Sequence, residues 1–260
     1  MLYLKNQVFA IASIASFVAL SPSPLLAQNV WEIGSEPLQF TPPSLPSGTT
    51  GRPIKRRDAG SSSSCEIANS NNGEFLTALV PKKDREAVTI SDRPTFWFYI
   101  PFAANEFHSL KFRLQTEDGY QVTLTPTSPQ PGVIKVTLPE SEPALNPNKT
   151  YRWGFFLYCQ NPDVSSRVPI TFFVGGTVTR ILPDATLQGQ IEATGGDRDL
   201  VALYAQQGLW YDALTLMGDR YSQNPDNPHL RQDWQDLLES VELTDVAAKP
   251  IVSISPDSTD

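Results

Sequence analysis

Apolar positions alternate with a period of two through the middle of the chain and with a helical period towards its C-terminus. That change divides the sequence. In Tyr151-Arg152-Trp153-Gly154-Phe155-Phe156-Leu157-Tyr158-Cys159, one side carries Tyr151, Trp153, Phe155, Leu157 and Cys159, while Arg152, Gly154, Phe156 and Tyr158 make a mixed second side. This is the pattern of a strand in the middle of a two-layer core. Further strands are predicted at Phe75–Val80, Ala87–Ile90, Leu110–Gln115, Tyr120–Thr125 and Val133–Leu138. Asp118-Gly119 and Pro131-Gly132 supply turns between them. Pro94 to Pro101 is apolar on both faces and bracketed by prolines, so it reads as a short buried strand. Pro169 to Arg180 is expected to be bent or bulged at Gly175-Gly176. About eight strands at this spacing predict an antiparallel β-sandwich over 65–183. After Pro183 the period changes. Leu200, Leu203 and Tyr204 mark one helix, Trp210, Ala213, Leu214, Met217 and Tyr221 a second, and Leu230, Trp234, Leu237, Leu238 and Val241 a third. Asn227 is a good N-cap with Pro228 in the first helical position. The fold class is therefore mainly β with C-terminal α, the helical segment 184–249 packing on the sandwich.

Two local patterns resemble known units. Leu145 to Thr150 is a Leu–x–Pro loop running into a strand through Tyr151, which is similar to the tyrosine corner of immunoglobulin-like sandwiches. Leu200, Tyr204, Gly208, Ala213 and Pro225 fall at the spacing of one tetratricopeptide repeat, with Asp197 where that motif has Trp and Val201 where it prefers Gly. A single repeat makes no concave groove. The helices are then either a cap docked on the sandwich or an interaction face, whose candidate residues are Tyr204, Gln207, Tyr211 and Asp212.

The ends read differently. Residues 1–27 have the form of a secretory signal peptide: Lys5, an apolar run from Val8 to Leu20 too short for a bilayer span, a Ser-Pro break and Ala27 at the cleavage point. The alternative is an uncleaved N-terminal anchor. Cleavage would remove Lys5, the one charge of that segment, and take the formal net charge from -8 to about -9. Residues 28–64 are rich in Pro and Ser and read as a disordered linker. Within it, Lys55-Arg56-Arg57 is either a tether to an anionic surface or a solvated charge cluster. Residues 250–260 read as a flexible tail. No other run could span a membrane, so localisation is expected to be exported: periplasm, outer envelope or extracellular.

Composition narrows the function classes. A chain of net charge -8 and pI about 4.8 lacks the basic face that nucleic acid demands. The two cysteines, Cys65 and Cys159, are expected to pair in an exported protein, the alternative being two buried free thiols. No catalytic, metal or cofactor residue is assigned. His108 beside Ser109 lacks a framed nucleophile, and His229 sits in a helix's first turn. Asp233, Asp236 and Glu239 are spaced like a solvated face. All five tryptophans except linker Trp31 are expected to be buried, leaving Phe102, Phe107 and Tyr120 as aromatic stacking candidates. The expectation is a non-enzymatic interaction module with an envelope or secreted protein as partner. The alternative is a glycan-binding or glycan-processing module.

The landmarks together resemble the bacterial family known as domain of unknown function 928, associated with cyanobacteria. They are Gly51-Arg52-Pro53 with Arg56-Arg57 before Cys65, Leu76 to Pro81, Pro94 to Tyr99, Tyr151-Arg152-Trp153 with Cys159, Trp210 to Leu214, and Asp233-Trp234 with Leu237-Leu238. Ser61 to Ser64 stands where the family would have a Gly/Arg-rich stretch. The resemblance implies architecture and export, and it brings no catalytic residue.

Overall fold

A computed structural model describes residues 31, 36–43, 53–58, 74–82, 87–115, 119–126, 130–159 and 171–256. In chain order the strands are β1 (Pro53–Lys55), β2 (Arg57–Asp58), β3 (Leu76–Ala78), β4 (Val88–Thr89), β5 (Thr95–Ile100), β6 (Ser109–Gln115), β7 (Tyr120–Pro126), β8 (Gly132–Thr137), β9 (Thr150–Tyr158), β10 (Thr171–Arg180) and β11 (Ile254–Pro256). The helices are α1 (Ala185–Ala193), α2 (Asp197–Gln206), α3 (Trp210–Gln223), α4 (Pro228–Glu239) and α5 (Thr244–Ala247). One sheet of seven strands runs β1-β10-β9-β6-β7-β11, with β4 added in parallel to β10. A second, of four strands, runs β2-β3-β5-β8. The chain is thus β-rich with C-terminal helices.

The predicted inward side of β9 is the core. Trp153, Phe155 and Leu157 are buried, and Phe155 stacks on Phe98 of β5 with ring centroids 4.2 Å apart. Phe96 meets Phe112 and Trp153 across the same interface, at 4.9 and 5.8 Å. Strand β5 is buried throughout because it has two neighbours. Its even-numbered residues face the larger sheet, while Trp97 on the opposite face meets Trp234 of α4 at 5.9 Å. The helices therefore cover the outer side of the smaller sheet, making a third layer there. Strand β6 alternates buried and accessible positions, as its sequence predicts.

The linker and tail expectations need correcting where they are described. Within 28–64, Leu38 and Phe40 are buried, and β1 and β2 pair with β10 and β3 respectively. Within 250–260, Ile251 bridges Val133 of β8 and β11 pairs with β7. Each terminal segment thus crosses from one sheet to the other and pairs along an edge of both. Edge strands present unpaired N–H and C=O groups, and these segments satisfy them. Composition registers the ordering cost of a Pro- and Ser-rich segment but not the distant edges that offset it. Of the bend or bulge expected at Gly175-Gly176, no bulge forms against β9, whose register with β10 is unbroken from Thr171 to Thr179. The irregularity lies in β1, between Pro53 and Lys55.

Each residue of the basic run has a partner within the protein. Lys55 pairs with Asp58 at 2.7 Å. Arg56 donates to the Val241 carbonyl at 2.7 Å. Arg57 forks onto both oxygens of Asp245 at 2.7 and 2.6 Å, holding that carboxyl below its ordinary range. Arg56 and Arg57 thus tie the N-terminal strands to the C-terminal helical region. Residues 1–27 and Cys65 lie outside the described residues, so the signal peptide and the partner of Cys159 carry no structural description. No helix among the described residues is long and apolar enough to cross a membrane.

Candidate functional site

A cleft of about 310 Å³ opens where the end of β4 and the start of β5 meet helices α2 and α3. Thr89, Ser91, Thr95 and Thr215 line it, with Leu200 and Tyr204 from α2 and Tyr211 and Asp212 from α3. Local sequence makes this arrangement. Gly208 takes the left-handed conformation (φ +76°), turning the chain tightly between the two helices. A Cβ at that glycine would come within 2.5 Å of Pro43, so the N-terminal segment also closes on the turn. Buried Ala213 lets the helices approach, and Trp210 anchors the start of α3 by donating from Nε1 to the Leu79 carbonyl at 2.8 Å.

Asp212 is the chemically distinctive group. Its Oδ1 accepts from Thr89 Oγ1 at 3.1 Å and from the Ser91 N–H at 3.2 Å, and its Oδ2 accepts from the Ile90 N–H at 3.2 Å. The carboxylate thereby closes off the backbone where β4 ends. Burial raises its pKa from 3.8 to about 6, against the opposing pull of those hydrogen bonds. Burial also raises the Tyr204 phenol, with the neighbouring Asp212 adding to the effect. Tyr211 is buried against Phe96 at 5.5 Å and its phenol is pushed well above the ordinary value by burial. Arg93, on the cleft wall, is engaged elsewhere, donating to the carbonyls of Pro139 and Glu142.

A pH dependence follows. Between pH about 4 and about 6 the folded protein retains a proton on Asp212 that the unfolded chain has released, so this group's contribution to stability falls as pH rises through that window. Asp212→Asn should remove the slope. Wild type minus variant, measured as urea unfolding free energy from pH 3.5 to 7, should decline by on the order of 2–3 kcal/mol across the window. A flat difference would show that Asp212 ionises normally.

The four residues expected to form an interaction face separate. Tyr204 and Asp212 share the cleft wall, Tyr211 is buried within it, and Gln207 is exposed outside its lining. Asp197 and Val201, the departures from the repeat pattern, have defined roles: Asp197 pairs with Arg220 at 2.5 Å, and Val201 is fully buried. Among the stacking candidates, Phe102 and Phe107 are buried, Phe102 against Phe172 at 5.2 Å, and Tyr120 packs on Phe112 at 6.3 Å. They offer no outward ring pair. Half-exposed aromatics lie instead at Phe156, Tyr158 and Phe173, on the side of β9 that reads as merely mixed in sequence. Asp233 is likewise not on a solvated face: it is buried and bound by Arg198. His108 and His229 are both exposed. Among the described residues no cluster of three His, Cys, Asp or Glu side chains could hold a metal ion.

A sequence model of the family described as Domain of Unknown Function (DUF928) matches residues 55–251, and the chain belongs to that family. No curated protein and no solved structure matches it.

Proposed function

We propose that this member of the DUF928 family is an exported, non-catalytic binding module, working in the periplasm, outer envelope or extracellular space, whose cleft receives a segment of an envelope or secreted protein. The observation that carries the reading is the use made of Asp212. Both of its oxygens are committed to holding the β4 end, so the cleft offers small polar, aromatic and apolar side chains for recognition and no free nucleophile–base pair in its lining. Export rests on the signal-peptide pattern of 1–27. The immunoglobulin-like reading of the sheets is supported by the Tyr151 hydroxyl, which accepts from the Asn146 N–H at 2.8 Å, as a tyrosine corner would. The tetratricopeptide-like reading is supported by the Gly208 turn with Ala213 at the helix contact.

Affinity capture from envelope extract, at low and moderate salt, tests the function. Wild type should retain a stable partner. Tyr204→Ala should lose it with little change in thermal midpoint, because Tyr204 is only half-buried. Capture of no partner at either salt, or equal capture by the variant, would count against the cleft. A Cys65–Cys159 bridge belongs to the same exported reading, supported by the absence of any free cysteine among the described residues. It would stabilise by about 2–4 kcal/mol. Thiol counting on denatured, unreduced protein should find none.

A further inference from the structure

The outer face of the larger sheet carries an arrangement separate from the cleft. On β9 and β10, Gly154 stands directly opposite Gly175, and Phe156 opposite Phe173. The two phenyl rings lean over the glycines. A Cβ at Gly175 would lie 2.5 Å from Phe173 Cζ, and one at Gly154 would lie 2.9 Å from Phe173 Cε2 and 3.0 Å from Phe156 Cε2. Only glycine leaves that space, so the rings lie down along the sheet with their centroids 4.8 Å apart. Tyr158 continues the row, stacked with Phe156 at 6.3 Å.

Cations frame the aromatics. Arg113 sits 5.1 Å from the Phe156 ring centre and Lys111 5.7 Å from that of Tyr158. Arg152 is exposed on the same side of β9, opposite Thr177. No carboxylate among the described residues pairs with any of these three cations, although the chain as a whole carries a formal net charge of -8. Elsewhere Arg57 and Arg198 are matched to Asp245 and Asp233. Positive charge set beside half-exposed rings is the complement of a flat, ring-containing polyanion. The strip is also open and long. From β1 to β6 it crosses three inter-strand spacings, about 14 Å, enough for several sugar rings in a row.

We propose that this face binds an acidic polysaccharide, its pyranose rings lying on Phe156 and Phe173 and its carboxylates meeting Arg113 and Arg152. Aromatic faces carry negative charge density that attracts the C–H groups of a sugar ring, while guanidinium groups fork onto carboxylates. This is a second surface, independent of the cleft reading, and Tyr204→Ala should leave it untouched.

The test uses polygalacturonate as probe, in affinity electrophoresis and calorimetry, with neutral amylose and poly-glutamate as controls. Wild type should bind polygalacturonate in preference to both controls, and binding should weaken with salt. Arg113→Gln with Arg152→Gln should weaken it by about tenfold or more. Phe173→Ala, which leaves charge unchanged, should also weaken it, while Arg231→Gln on exposed α4 should not. Poly-glutamate binding as well as polygalacturonate would reduce the face to simple charge attraction and overturn the proposal. So would insensitivity to Phe173→Ala in a folded variant, preference for anionic phosphatidylglycerol vesicles over the polymer, or no binding at all.

Discussion

Asp233→Ala should lower the unfolding free energy by about 3–5 kcal/mol, because it strands a buried arginine. Arg198 and Asp233 have side chains only 11% and 8% exposed, and the guanidinium contacts both carboxylate oxygens at 2.9–3.2 Å. Removing the carboxylate leaves a positive charge in a poorly solvated place with one remaining partner, the Glu36 carbonyl at 2.7 Å. It also removes the acceptor of Trp31 Nε1, which donates to Asp233 Oδ2 at 2.6 Å. The same carboxylate thus organises α2, α4 and the N-terminal segment. Asp233→Asn should cost less, since it retains an acceptor for Trp31. Replacing both partners, Arg198→Met with Asp233→Leu, should recover much of the loss, because the desolvation of two charges is then avoided. Urea denaturation of the three variants measures the order. Limited proteolysis should show the segment ending at Pro43 exposed in Asp233→Ala. An Asp233→Ala loss below about 1 kcal/mol would mean that the pair behaves as a surface ion pair.

The layers of this fold are readable where periodicity is strong, and the connections between layers are not. Tyr151 to Cys159 announces its inner face by alternation, and the structure buries Trp153, Phe155 and Leu157 there. Pro94 to Pro101 announces burial on both faces because both registers are apolar, and β5 lies between a sheet and a helix layer. Asp233 shows the opposite case. On a helix it sits at a spacing shared with Asp236, which faces solvent and accepts from Gln232 at 2.8 Å. Only the presence of Arg198, 35 residues earlier, distinguishes the buried carboxylate. The segments 36–43 and 53–58 fail for the same reason: their partners are an edge or a helix surface far away in sequence. The cleft was partly legible. The interaction-face reading of the helices put Tyr204 and Asp212 among its candidates, and these do share the cleft wall, but it also selected Tyr211, which is buried. The outer aromatic strip had a signal in Gly154 and Phe156 alternating on one side of β9. That signal becomes meaningful only when register places Gly175 and Phe173 opposite them.

Trp210→Ala should lower stability by a comparable amount, about 3–5 kcal/mol, and should do so by uncoupling three parts of the molecule at once. Trp210 is fully buried at the first position of α3. Its ring meets Phe40 of the N-terminal segment edge-on at 5.2 Å, and its Nε1 donates to the carbonyl of Leu79, just beyond β3. Truncation removes the hydrophobic transfer of an indole, leaves a cavity where helix, sheet and N-terminal segment meet, and strands the Leu79 oxygen. The neighbouring Tyr211 and Asp212 make further contacts with β5 and β4, so α3 should be loosened rather than released. Trp210→Phe separates the two contributions. It keeps most of the apolar contact and loses the hydrogen bond, leaving the buried carbonyl unsatisfied at a cost of about 1–3 kcal/mol. Chemical denaturation gives both magnitudes. Amide exchange locates them, with protection expected to fall in α2 and α3 before it falls in β9 and β6. Loss distributed evenly over all these elements would show that helices and sheets unfold as one cooperative unit, with Trp210 as one core residue among many. Loss confined to the helices would make Trp210 the pin that holds the cleft's two walls together.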